Sequence, residues 1–259
     1  MYTKVLIAGA NSHIASLCIP ELKLGNSEVF VVTREQLSSS YKISGRNATN
    51  LIIKDYKPVE MLKTLKSFLD LNSEDSLLIL NFIGNFGTID SIEDLDLINF
   101  GYQVNENLIP FLLLAKLVIN CQDGLFLSFA GAGVGGENLE TASPSYLASK
   151  AAMAILIEGL DNQYRDQGIR FCAISPGAFP SKMQEMVAQS MNEKVVSPNR
   201  REQALRTLES EVNPTKLIEM INFLIQNPES AGGRIWSANF DQPTVDIENK
   251  NFGKLRRIF

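Results

Sequence analysis

Residues 4–15 have the sequence KVLIAGANSHIA, in which the apolar run at 5–8 leads directly into Gly9. An apolar run of this length predicts a strand buried on both faces, and the segment after it predicts a helix. Gly9 permits a tight turn between the two. The backbone N–H groups of such a turn, together with a helix N-terminus, would bind a phosphate group. An ordinary strand-to-helix connection capped by Asn11 or Ser12 is the alternative interpretation.

The alternation of strand and helix continues along the whole chain. Short apolar runs predict further strands at 28–33, 51–53, 76–81, 125–129, 169–175 and 234–238. Amphipathic stretches predict helices at 11–24, 59–69, 92–120, 145–165, 182–192, 198–211 and 215–226. Strands that alternate with helices indicate a parallel sheet covered on both faces. We therefore expect an α/β fold with a doubly wound, Rossmann-like sheet of about seven strands, as a single domain over residues 1–259.

The composition excludes several other classes of protein. Hydrophobic residues make up 45% of the 259 residues, the net charge is -5 and the pI is about 5.1, which favours neither nucleic acid nor an anionic membrane as a partner. His13 is the single histidine, so a His-rich metal site is excluded and no metal is expected. The cysteines at 18, 121 and 172 are interpreted as buried thiols. No signal peptide and no run of about 18 apolar residues is visible, and the expected location is the cytoplasm.

Polar residues follow the predicted strands at the edge where an open α/β sheet binds ligands. Arg34 follows the second strand, and a guanidinium at that place favours a 2′-phosphate, so that NADP(H) is expected over NAD(H). A solvated loop charge is the alternative for Arg34. Asp55 follows the third strand, and Asn81 ends the fourth strand shortly before Gly84.

The stretch YLASK at 146–150 contains the most informative pair of residues. Tyr146 and Lys150 are four positions apart near the start of a predicted helix, so they share one face of it. A nearby ammonium group stabilises a phenolate, and we expect Lys150 to lower the pKa of Tyr146. The pair would then act as a general acid and base near neutral pH. An amphipathic helix with incidental polar residues is the alternative.

With these features in one order, the chain resembles the short-chain dehydrogenase/reductase family, in its short single-domain form, over about residues 4–241. The matching features are a Gly-rich first turn, an Asp after the third strand, Asn-x-x-Gly, an Asn in the long helix, Tyr-x-x-x-Lys and Ser-Pro-Gly. They stand at Gly9, Asp55, Asn81 to Gly84, Asn105, Tyr146 to Lys150 and Ser175 to Gly177. The resemblance implies an NAD(P)-dependent oxidoreductase that interconverts an alcohol and a carbonyl by hydride transfer.

The resemblance also implies a role for individual residues. Tyr146 would exchange the proton with the substrate oxygen, Lys150 would hold the nicotinamide ribose, and Asn105 would support a water chain that relays the proton. Other residues would line the cofactor, namely Gly9, Asn11, Ser12, His13, Ile14, Arg34, Asp55, Asn81, Gly84, Pro176, Gly177 and Ser181.

The chain departs from the family pattern at the end of the fifth strand, where a catalytic serine is expected. Gly131 stands at that place. Ser128 is the candidate that the strand itself offers, and Thr141 or Ser143 could reach the site from further along the chain. Two glycines of the first turn are also replaced, by His13 and Ala15.

The segment at about 178–211 has methionines at helical spacing, for which core packing is the first explanation and a lid that covers the substrate is the second. Its polar residues suit a hydroxylated or anionic substrate. The glycine-rich end of the fifth strand and the stretch at 237–241 resemble a subgroup of the family, and that resemblance implies a sugar or nucleotide sugar in surface-polysaccharide biosynthesis. The resemblance implies a homodimer or homotetramer, paired through the helices at 108–119 and 151–160. The alternative function is a nucleotide sensor or scaffold that has lost turnover, because the serine and two glycines are missing.

Overall fold

The strands form a single parallel sheet that matches the expected fold. A computed structural model describes residues 2–35, 43, 48–53, 58–131 and 142–242. Its strands are β1 (Lys4–Ala8), β2 (Glu28–Thr33), β3 (Thr49–Ile52), β4 (Ser76–Asn81), β5 (Asp123–Phe129), β6 (Ile169–Ser175) and β7 (Ile235–Ser237). Within the described residues, the sheet has seven strands in the order β3-β2-β1-β4-β5-β6-β7. The predicted doubly wound, Rossmann-like sheet is confirmed.

Helices cover both faces of this sheet. They are α1 (His13–Cys18), α2 (Pro58–Phe68), α3 (Leu97–Val118), α4 (Pro144–Tyr164), α5 (Lys182–Gln189), α6 (Pro198–Glu209) and α7 (Thr215–Gln226). One buried cluster joins the sheet to α1 and α7, and a second joins it to α2, α3 and α4. A small third cluster lies between α5 and α6, apart from the sheet. The first two clusters pack against the sheet from both sides, so they hold the carboxyl ends of its strands in fixed positions.

The strand order reverses its direction at β1. The chain goes from β1 outward to β2 and β3, and then returns to place β4 on the other side of β1. At such a switch point the two connecting loops leave in opposite directions and open a crevice above the carboxyl ends of the strands. The crevice here lies above β1 and β4, at Gly9 and at Asn81.

Two helices differ from their predicted bounds. The first was expected at 11–24, but α1 ends at Cys18 and a short 3-10 turn follows, with Pro20 at its start. Proline has no N–H and clashes with the preceding turn, so it ends the α-helix there. The long helix was expected from residue 92, but it begins at Leu97 because Asp96 caps its N-terminus and accepts from two backbone N–H groups. The tail from Pro243 lies outside the described residues.

Candidate active site at the carboxyl edge of the sheet

The first turn lies at the crevice, as its sequence predicts. Gly9 adopts a φ of +77°, and a Cβ at this position would approach the backbone of Ile83 at 3.0 Å, so only glycine fits. Ser12 caps α1 by accepting from the N–H of Ala15 at 3.2 Å. Of the two capping residues considered, the structure therefore selects Ser12. The exposed His13 begins the helix, where first-turn N–H groups have no carbonyl partner within the helix.

Tyr146 and Lys150 lie one turn apart on α4 and face the ends of β4 and β5. Lys150 is 4% exposed, and its Nζ donates to the carbonyl of Phe129 at 2.8 Å. The same Nζ lies 5.6 Å from the centre of the Tyr146 ring. A Cβ built on Gly84 would lie 3.7 Å from it. The ammonium group thus lies beneath the crevice. It makes one hydrogen bond to the described residues, so its remaining N–H groups can donate to a ligand.

The pKa of Tyr146 differs from the expectation. Burial raises the pKa of Tyr146 to about 12, and burial lowers the pKa of Lys150 to about 8. We expected the lysine cation to lower the tyrosine pKa, and this is not the case in the structure. The reason is that burial removes the phenol from water, which penalises its anion. At neutral pH the phenol is therefore protonated.

A ladder of four polar side chains joins α3 to the start of α4. Asn107 donates to Ser149 Oγ at 3.0 Å, and Ser145 donates to Gln103 Oε1 at 2.6 Å. Within each helix the two residues are four positions apart, so each pair lies on one face. Asn107 also bonds both backbone groups of Asn85, at 2.7 and 2.9 Å. The ladder fixes the rotation of the helix that carries Tyr146.

This ladder corrects one predicted residue. Asn105 was expected to face the site, but it is exposed, whereas Asn107 is 3% exposed. Two residues along an α-helix are about 200° apart, so only one of the two asparagines can face α4. The spacing of Gln103 and Asn107, matched by Ser145 and Ser149, was the sequence signal that would have found the ladder.

The expected serine position is occupied by Gly131 in the structure as well. A Cβ built on Gly131 would lie 2.9 Å from Lys150 Cγ and 2.9 Å from Tyr146 Cε1. Ser128 is a poor candidate for the catalytic serine, because it is fully buried within β5 and accepts from Asn81 Nδ2 at 3.3 Å. The glycine lets the Tyr146 ring pack directly against the end of the strand.

Neither of the two other candidates, Ser143 and Thr141, places a described hydroxyl group beside the Tyr146 ring. Ser143 donates to the carbonyl of Phe86, at 2.5 Å, and is 1% exposed. Thr141 lies outside the described residues. The Phe86 ring packs on Tyr146 with centroids 5.2 Å apart, so the Tyr146 ring has apolar contact on one side.

The remaining predicted cofactor residues lie along the same edge. Arg34 is exposed just beyond β2, and Ile14 is half-buried in α1 next to the exposed Asn11. Ser181 caps α5 by accepting from Gln184 N. Asp55 lies outside the described residues.

Beside this edge the loop after β6 has a strained turn. Pro176 is half-buried, and Gly177 has a φ of +90°. A Cβ on Gly177 would lie 2.6 Å from Asn239 Nδ2. A cavity of about 190 Å³ opens here, lined by Gly177, Lys216 and Asn239 among others, and Tyr146 is not among its lining residues. The cavity therefore lies beside the edge that carries Tyr146 and Lys150 without being lined by either residue.

Comparison with known protein families finds one match, in the second half of the chain. The model described as short chain dehydrogenase matches residues 103–192, which contain Tyr146 and Lys150. Over these residues the chain is similar to the short-chain dehydrogenase family. No curated protein matches it by sequence. The matched residues include the Tyr-x-x-x-Lys pair at Tyr146 and Lys150 and lie partly beyond Gly131, where a serine was expected.

Solved structures share the fold across almost the whole chain. A short chain dehydrogenase/reductase from Saccharomyces cerevisiae has a TM-score of 0.73 at 17% identity, covering 92% of this chain and 96% of that one. A short chain dehydrogenase from Leptospira borgpetersenii with bound NAD+ has a TM-score of 0.65 at 20% identity, covering 92% and 91%. An NADP active-site complex from Pseudomonas aeruginosa has a TM-score of 0.68 at 13% identity, covering 92% and 95%. Both cofactors thus occur among the structural neighbours.

The residues at the crevice fit a dinucleotide of this kind. The turn at Gly9 leaves first-turn N–H groups for a pyrophosphate. The buried Lys150 ammonium has donors left for ribose hydroxyls. Among the described residues, the Lys150 ammonium alone lies within 4 Å of a Cβ built on Gly84, so no other described group fills the space at the end of β4. No helix in the described part of the chain is long and apolar enough to cross a membrane.

Proposed function

We propose that this protein is an NAD(P)-dependent oxidoreductase that interconverts an alcohol and a carbonyl group, with Tyr146 as the acid–base group. The observation that supports this most is the placement of Tyr146 and Lys150 on one face of α4, with Lys150 Nζ beneath Gly84 at the switch point. A bound nicotinamide supplies or accepts the hydride. The chain itself has to orient the substrate and move a proton.

The protonation states favour reduction of a carbonyl. A phenol with a pKa of about 12 is protonated at neutral pH and can donate to a carbonyl oxygen. Lys150 is protonated below about pH 8, and its charge would stabilise the phenolate left after that donation. Asn107, rather than Asn105, would hold the backbone at Asn85 and the water path toward Lys150.

We further propose a polar substrate and a preference for NADP(H). The lid helices α5 and α6 bear many polar residues, which suits a sugar or nucleotide sugar, as in surface-polysaccharide biosynthesis. Arg34 is exposed beyond β2, where its guanidinium is free to meet a 2′-phosphate. The cytoplasmic location expected from the sequence stays a prediction.

Cofactor binding is the first test. Fluorescence titration with NADPH and NADH should show tighter binding of NADPH, and Arg34→Ala should remove that preference. Arg165→Ala is the matched control, because Arg165 lies beyond α4 near the amino end of β6, at the opposite edge of the sheet. If neither cofactor binds at millimolar concentration, the enzyme proposal is wrong and the nucleotide-independent scaffold is supported.

Turnover is the second test. Tyr146→Phe should abolish reduction of carbonyl substrates while leaving cofactor binding intact, since it removes only the hydroxyl. Tyr164→Phe removes a phenol hydroxyl from the same helix, where it accepts from Gln163, and should keep full activity. Cofactor binding without any turnover by the wild type would support the sensor function instead.

We also propose that the protein pairs with a second copy of itself through α3 and α4. Large apolar side chains are exposed at the start of α3, with Leu97 76% and Ile98 87% exposed. Cβ atoms built on Gly101 and Gly159 would meet no described atom within 4 Å, although glycine costs helix stability, and these open positions would let a second copy approach the two helices closely. Ile98→Glu should then yield a monomer by light scattering, and Leu205→Glu on α6 should not.

A further inference from the structure

The two lid helices contain polar atoms that are buried without a hydrogen bond. On α5 this atom is Gln184 Oε1, and Gln184 is 7% exposed. On α6 the atoms are Nε and Nη2 of Arg201, whose side chain is 20% exposed. Buried polar groups are nearly always hydrogen-bonded in folded proteins, so such groups point to a missing partner.

These side chains lie on the inward faces of their helices. Gln184 is three residues before Val187, and Arg201 is three residues before Ala204, so each shares a face with a residue of the small buried cluster. That cluster includes Ala142 and packs against Phe86, whose ring contacts Tyr146. The unsatisfied groups are therefore on the helix faces that point toward this cluster, and the cluster borders Phe86 beside Tyr146.

The chemistry of the two groups is complementary to an anionic, hydroxylated molecule. The Arg201 fork presents parallel N–H donors, which match a carboxylate or phosphate. Glu193 is 3.8 Å from Nη2 and its side chain is 70% exposed, so it leaves the fork without a hydrogen bond. Gln184 Oε1 can accept from a hydroxyl. An apolar substrate would leave both groups unpaired.

We infer that Arg201 and Gln184 anchor the substrate of this enzyme by a carboxylate or phosphate group and an adjacent hydroxyl. The substrate class is thus a hydroxylated anion, such as a sugar phosphate or a sugar acid. This inference rests on the proposed oxidoreductase function, because it names the substrate of that site.

Thermal unfolding of the purified protein with added ligand tests the inference. Ligands that bind the folded state raise the melting temperature in a saturable way. The probes are glucose 6-phosphate and galacturonate, each compared with its neutral parent sugar, and inorganic phosphate alone. We expect the anions to stabilise the wild type and the neutral sugars to have little effect. If glucose 6-phosphate and galacturonate bind with different affinities, the one that binds more tightly identifies the anionic group that the site prefers.

Arg201→Gln should weaken binding of the preferred anion about tenfold or more, because a charge-assisted bond pair is lost. Arg201→Lys keeps the positive charge but lacks the two parallel N–H donors. Its affinity for the anion should therefore lie between those of the wild type and Arg201→Gln. Without ligand, Arg201→Gln should melt close to the wild type, because the buried nitrogens have no hydrogen bond to lose and the 3.8 Å ion pair with the exposed Glu193 contributes little. Arg206→Gln, on the exposed face of α6 where Arg206 pairs with Glu202, is the control and should bind as the wild type does.

Three outcomes would overturn the inference. They are no saturable stabilisation by any anion, equal affinity in the wild type and Arg201→Gln, and a melting temperature of unliganded Arg201→Gln well below that of the wild type. The NADPH titration is independent of these outcomes, since the cofactor site lies at Gly9 and Lys150. If NADPH binds and the anions do not, the inference fails while the proposed oxidoreductase stands.

Discussion

Replacement of Lys150 by methionine should stabilise the unliganded protein, by an amount that depends on pH. Lys150 is 4% exposed and burial lowers its pKa to about 8, from 10.5 in the unfolded chain. Each tenfold change in a protonation equilibrium corresponds to about 1.36 kcal/mol, so keeping this ammonium buried costs the folded state about 3 kcal/mol. Methionine has a similar shape and no charge, so it avoids this cost. Methionine also loses the hydrogen bond to the Phe129 carbonyl, which reduces the gain in stability by about 1 kcal/mol.

The sign of the pH dependence follows from the lowered pKa. Below about pH 8 the lysine is protonated in both the folded and unfolded states, and the full cost is present. Between pH 8 and 10.5 the folded state has lost the proton and the unfolded state still binds it, so wild-type stability rises with pH. Lys150→Met should therefore gain about 2 kcal/mol at about pH 7. The gain should disappear by about pH 10.

Urea unfolding at several pH values measures this difference, with the fluorescence of the buried Trp236 as the probe. Lys63→Met, at an exposed position on α2, should show no comparable pH dependence. A Lys150→Met protein that is less stable than the wild type by the same amount at every pH would refute the prediction, because the buried charge would then cost nothing. A confirmed gain would show that α4 retains a destabilising cation for its function.

Three further substitutions test the packing, two of them around the site and one at the opposite edge of the sheet. Gly131→Ala places a Cβ within 2.9 Å of Tyr146 Cε1 and Lys150 Cγ, and should cost about 1–3 kcal/mol in urea unfolding and most of the turnover; unchanged activity would contradict the crowding. Asn107→Leu should cost about 2 kcal/mol or more and lower kcat, whereas Asn105→Leu should change neither; equal effects of the two would contradict the ladder. Asp161→Ala should cost about 3–5 kcal/mol, because it leaves Arg170 and the N–H of Phe171 without their buried carboxylate; Asp166→Ala, on the exposed turn after α4, is its control.

Gly131 shows how the departure from the family pattern is accommodated. The ring of Tyr146 and the stem of Lys150 occupy the volume that a side chain at residue 131 would need. A serine added there would have to displace the Tyr146 ring and the Lys150 stem. On the proposed function, substrate orientation would come from elsewhere, and Arg201 and Gln184 of α6 and α5 are the groups that we propose for it.

The alternation of apolar runs and amphipathic stretches by itself determined the fold class. Strands buried on both faces need continuous apolar residues, so β2, β4 and β6 begin and end where the sequence predicts. The pairing of Tyr146 and Lys150 was also predictable, because residues four apart on a helix always share a face. The glycine at the first turn was predictable as well, because Gly9 adopts a positive φ, which other residues rarely adopt.

Tertiary structure alone decided which polar residues face one another. Asn105 and Asn107 are equivalent as sequence, and only the packing of α3 on α4 selects Asn107. The pKa of Tyr146 depends on how much water the fold removes, which no local spacing reports. The burial of Arg201 and Gln184 without hydrogen bonds likewise depends on how α5 and α6 pack together. The local sequence pattern therefore determines where helices and strands form and which side of each is apolar. The burial of a side chain and its hydrogen-bond partners depend on how those helices and strands pack together.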